Sequence, residues 1–278
     1  MSRKSLWVPF LLLSALTAAP ERAAAAIVSG SVSGNSVTVS VTLPWSLGLD
    51  LSLAFDGASS LTLSNLGISA TLVNPVDPAL GARLPSGVYP SLLPILLRIE
   101  PPVAGGLTFH DTVSFELHTH SLGYFPATPL RLFSAPLGGQ FRDVTASMGA
   151  GSYRARGTTG GFSEFLIAID TRSVDTVIGD KFARLEDLLE DYEGAMPAPV
   201  YGDLETRLAA AHSSYSGGNL NAAITALDGF AAEVVEHSGS DIPNVWRAAR
   251  DLNNVAGYLQ AGAATLRFSL DRKRTLGP

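Results

Sequence analysis

The chain has 278 residues, no cysteine and a formal net charge of −6. That length is ample for one large domain or two ordinary ones with a buried core. The missing cysteine excludes a disulfide framework, thiol chemistry and a lipobox-type anchor, and the acidic balance disfavours binding to nucleic acid.

Residues 1–26 read as a secretory leader, cut after Ala26. Arg3 and Lys4 supply the positive start, Leu6 to Ala19 an apolar run, and Ala24 and Ala26 the small residues before the cut. The run is too short and too broken by Pro9 to span a bilayer comfortably. The leader carries Arg3, Lys4 and Arg22 against Glu21, so its removal leaves the remainder more acidic still. The product is expected to be secreted or periplasmic, with no membrane span.

From Ile27 to Asp170 the apolar residues recur with period two. VTVSVTL sets Val37, Val39, Val41 and Leu43 on one face and Thr38, Ser40 and Thr42 on the other. LGLDLSLAF repeats this with Leu47, Leu49, Leu51, Leu53 and Phe55. Further strands are expected in SSLTLS, GISATLV, PILLRIE, TFHDTVSFELHT, LRLFSA, GSYRARG and FSEFLIAID, separated by Gly, Pro and Asn turns. This predicts a β-sandwich over 27–170, each sheet keeping one wet face.

Within it, FHDTVSFELHTH places Phe109, Val113, Phe115 and Leu117 on the core side. His110, Glu116, His118 and His120 share the opposite side. Two imidazoles at i and i+2 on one strand face stand near enough to grip one ion. With Glu116, His118 and His120 make a His/His/carboxylate set suited to zinc or copper. Solvent-facing histidines are also ordinary on a wet strand, so the competing expectation is a polar face that contacts a partner. Trp45 and Tyr124 at strand ends, with Arg154 and Arg156, are the candidate ligand-binding residues. Aromatic rings there stack on sugars or cap cores, and such arginines bind anions or form cross-strand pairs.

After Arg172 the period changes to 3.6. Residues 171–179 read as a linker, 180–270 as an antiparallel four-helix bundle, and 271–278 as a tail. The core-facing sets are Phe182, Leu185, Leu188 and Leu189; Leu204, Leu208 and Ala211; Ile224, Leu227, Phe230 and Val234; and Val245, Ala249, Leu252, Val255, Leu259, Ala263 and Leu266. Asn219 and Asp241 are expected to cap the third and fourth helices.

The segment GNLNAAITALDGFAAEV, with Leu204, Leu208 and Ala211 before it and Gly239, Ile242, Ala249 and Leu252 after it, resembles the FIMAH-type helical domain of bacterial surface and secreted proteins. The segments PLRLF, FRDVT, GSYRARG and GFSEFLIA are similar to the strand–turn–strand ending of uncharacterised exported bacterial proteins. The resemblance implies a fold and an address, and assigns no catalytic residue.

No Gly-x-Ser-x-Gly elbow, Ser-x-x-Lys, His-Glu-x-x-His or phosphate-binding loop is present. The expectation is a non-enzymatic interaction or structural module of the bacterial envelope, without cofactor, whose expected partner is a polysaccharide or a surface protein. The alternative is an exported zinc or copper protein, or a metal-dependent enzyme, built on the His/Glu strand face.

Overall fold

The computed structural model describes residues 26–43, 48–92 and 94–277. The expected leader lies outside the described residues apart from Ala26, as does Trp45. Among the described residues no helix is long and apolar enough to cross a membrane.

In chain order the elements are β1 (Ile27–Ser33), β2 (Ser36–Thr42), β3 (Gly48–Ser59), α1 (Leu63–Leu66), β4 (Ile68–Leu72), α2 (Pro78–Gly81), β5 (Val88–Pro90), β6 (Ile95–Ile99), β7 (Thr108–Gly123), β8 (Leu130–Ala135), β9 (Arg142–Asp143), β10 (Ser147–Gly149), β11 (Ser152–Thr159), β12 (Glu164–Asp170), α3 (Val174–Asp191), α4 (Ala198–Ser216), α5 (Leu220–His237), β13 (Val245–Arg247) and α6 (Val255–Leu276). The result is a mixed α+β chain with two open antiparallel sheets. One runs β1-β2-β3-β7-β11-β10 with β13 also on β7. The other runs β4-β6-β12-β8-β9 with β5 on β12.

The inner faces share one core. Val37, Val39 and Val41 of β2, Leu49, Leu51 and Leu53 of β3, and Val113, Phe115 and Leu117 of β7 meet Leu97 and Ile99 of β6 and Phe165 and Ile167 of β12. The alternation in the sequence supplies this contact directly, because every second side chain is apolar. The six-stranded sheet departs from the expectation of a wet outer face. Leu166 and Ala168 of β12 and Phe133 of β8 are buried against Leu80, Leu84 and Val88. The segment carrying α2 and β5 covers that side. SSLTLS, expected as a strand, turns into α1 instead: Thr62 caps it, its Oγ1 accepting from Asn65 N at 3.1 Å.

The expected linker is shorter than 171–179. Ser173 caps α3, accepting from Thr176 N at 3.1 Å, so residues 174–179 are already helical. The helix predictions for α3, α4 and α5 match in their buried faces, and Phe182, Leu204, Ala211, Leu227 and Phe230 share a core with Leu259 and Leu266 of α6. Asn219 caps α5 as expected, accepting from Ala222 N at 3.0 Å.

The fourth predicted helix starts late. Residues 241–254 are not helical, and Asp241 is not its cap. Asn254 is, its Oδ1 accepting from Gly257 N at 2.9 Å. Between them β13 adds to β7, with Val245 opposite His110 and Arg247 opposite Thr108. Trp246 is the reason: its ring is buried in the sheet core, stacked on Phe109 at 5.1 Å. Residues 271–276 of the expected tail belong to α6. Within α6, Arg272 donates to Pro126 O at 2.8 Å and Thr128 O at 3.2 Å.

The helices and sheets are tied along α6. Asn254 Nδ2 donates to Asp111 O at 2.5 Å and Gly160 O at 3.1 Å. Thr265 Oγ1 donates to Thr145 O at 2.9 Å. Asp111 sits at an irregularity in β7 with φ 55°, where the register against β3 shifts between Phe55 and Gly57. Its backbone N donates to Asn244 O at 2.8 Å and its carboxylate accepts from Ser238 and Asn244. Gly257 packs so closely here that a methyl group would run into the Asp111 carbonyl.

Candidate functional site

The outer face of the seven-stranded sheet carries the histidines. Its even-numbered positions on β7 are partly or fully exposed from His110 to His120, while Val113, Phe115 and Leu117 are buried, as the period predicted. Thr112 and Thr158 line an apolar recess of about 230 Å³ with Leu227, Ala231 and Ala263, so α5 and α6 lie over that end of the face. The other end stays open. There a polar groove of about 360 Å³ is lined by Ser29, Ser31, Thr38, Ser40, Asp50, Ser52, Glu116 and His118.

The register decides which groups meet. β3 pairs with β7 so that Asp50 stands opposite His118 and Ser52 opposite Glu116. β11 pairs on the other side, with Arg154 opposite His118 and Arg156 opposite Glu116. Glu116 turns to the arginines: its Oε2 lies 2.5 Å from Arg156 Nε and its Oε1 3.9 Å from Arg154 Nε. It is therefore not the carboxylate of the histidine pair. Asp50 is. Its Oδ2 lies 2.9 Å from His120 Nε2 and 3.7 Å from His118 Nδ1. The two imidazoles stack with centroids 5.0 Å apart and planes 29° apart.

Hydroxyls hold this cluster from outside. Ser40 Oγ donates to Asp50 Oδ1 at 2.8 Å, and Ser152 Oγ shares a 2.6 Å hydrogen bond with His118 Nε2. Burial works against the Asp50 charge, but the Ser40 hydroxyl and the two imidazoles outweigh it and hold the carboxyl below its ordinary range.

His110 stands apart from the cluster, near the bulge, opposite Gly57 and Val245. Tyr124 is half-buried against the sheet core, its backbone N donating to Gly151 O at 3.1 Å. Asp50 and Ser152 were the residues sequence reading missed. Parity alone puts Asp50 outward in LGLDLSLAF, but only strand register places it beside His118.

A family model described as a family of unknown function (DUF6689) matches residues 11–274. No curated protein matches the chain.

Proposed function

The chain therefore belongs to that family of unknown function, and we propose that it serves, after export, as a non-enzymatic interaction module of the bacterial envelope. In this reading a β-sandwich over 27–170 presents the contacting surface and a FIMAH-like four-helix bundle supports it. The partner is an envelope polysaccharide or a surface protein. One observation carries the reading: the open end of the outer sheet face sets a hydroxyl-lined groove beside the Arg154–Glu116–Arg156 row. Hydroxyls and exchangeable ion pairs offer donors and acceptors at little desolvation cost, which suits a polar ligand. The leader read from the sequence supports the address.

The test is retention of the chain on envelope fractions of its own source cells. The parent should be retained, and Arg154→Glu/Arg156→Glu should weaken retention about tenfold, since it sets three acids side by side. No retention of the folded parent would end this reading.

A further inference from the structure

We propose that Asp50, His118 and His120 form a binding site for one divalent transition-metal ion of the zinc–copper class, with at least one coordination position open to solvent. The site goes beyond the envelope reading and does not depend on it.

The geometry comes first. One ligand atom from each of the three residues can be chosen so that all lie within 4.8 Å of one another. Donors bound at about 2.0–2.1 Å to a tetrahedral zinc stand roughly 3.3 Å apart. The observed 2.9 Å and 3.7 Å from Asp50 Oδ2 to the two imidazole nitrogens bracket that distance. Small side-chain rotations close the difference. His118 and His120 belong to one strand, so their spacing is fixed by the backbone. Asp50 arrives from the neighbouring strand in direct register with His118. The ligand frame is therefore a sheet, stiffer than a loop.

The supporting groups are the second line. A metal-binding imidazole needs its lone pair on one nitrogen and a hydrogen-bond partner for the N–H on the other. His118 has that arrangement: Nδ1 faces Asp50 and Nε2 meets Ser152 Oγ. Asp50 has the equivalent, with Ser40 on Oδ1 and Oδ2 left facing the histidines. Glu116 does not join, because Arg156 and Arg154 occupy it.

Three protein donors leave a tetrahedral ion one position short. His120 is exposed and Asp50 only half-buried, so water or an exogenous donor can reach that position.

The chain is produced with its leader, purified without a histidine tag, stripped with chelator, and titrated with Zn²⁺ calorimetrically and with Co²⁺ by visible absorption. Close to one ion per chain should bind, and Co²⁺ should develop the intense bands of a low-coordinate site. Asp50→Asn should weaken Zn²⁺ binding at least tenfold, His118→Ala/His120→Ala should remove it, and Ser152→Ala should weaken it about tenfold. Glu116→Gln should bind like the parent, and melting curves confirm that each variant folds. Absence of stoichiometric binding overturns the proposal. So does equal binding by the double-histidine variant, or dependence on Glu116 in place of Asp50. The titration contains no envelope material. Metal binding without envelope retention removes the partner reading alone, and retention without metal binding removes this site alone.

Discussion

Lys181 shows how a single side chain ties the helices to the sheets. Its Nζ lies 2.7 Å from Asp143 Oδ2 on β9 and donates to Ser269 Oγ at 2.9 Å and Thr265 O at 3.1 Å, all out of solvent. Burial pulls the ammonium down from its ordinary value against the attraction of Asp143. Burial opposes the Asp143 charge as well, yet Lys181 beside it holds that carboxyl below its ordinary range. Such a pair repays its desolvation only while both partners are present. Lys181→Met should cost about 3–5 kcal/mol in urea unfolding, whereas Lys181→Met/Asp143→Leu should recover most of the loss. A single substitution as mild as the double one would show that water reaches the pair.

At the scale of elements, the meeting of α6 with β7 is set by close approach. Gly257 lies in the first turn of α6, where alanine ordinarily favours a helix by about 1 kcal/mol. Here a methyl group meets the Asp111 carbonyl, and the cap from Asn254 and its bond to that carbonyl would have to shift. Gly257→Ala should therefore lower the melting temperature, and a rise would mean that the helix can slide away. The sequence announced α3, α4 and α5 through their apolar spacing, with the expected Asn219 cap in place on α5. It hid β13 because Val245, Ala249 and Leu252 happen to extend the 3.6 period of α6. Trp246, off that stripe, decides the local structure through Phe109, a partner far away in sequence. The site was legible to the same degree. Period two put His118 and His120 on one face, while the choice between Glu116 and Asp50 required the pairing of β3 and β11 with β7.

For the whole molecule, two buried carboxylates make stability depend on acid. Glu164, nearly inaccessible, is bound by Arg83 and by Arg98 at 2.7 Å. Burial opposes its charge, and the two guanidinium groups outweigh it. Asp143 behaves likewise beside Lys181. Both folded-state values lie below the ordinary 4.5 and 3.8. The stabilisation is thus fully present above those values and is lost as pH falls through the depressed ones. Unfolding free energy should be level near neutrality and drop below about pH 4, with a shallower drop in Glu164→Gln. An acid limb of equal slope in that variant would remove Glu164 from the account.

The pairing of β13 with β7 also bears on the order in which the chain can mature. One edge of Thr108–His110 has to wait for Val245–Arg247, so this end of the sheet stays unsealed until nearly all of the polypeptide is available. Contacts so distant along the chain slow folding, and an unsealed strand edge invites other chains.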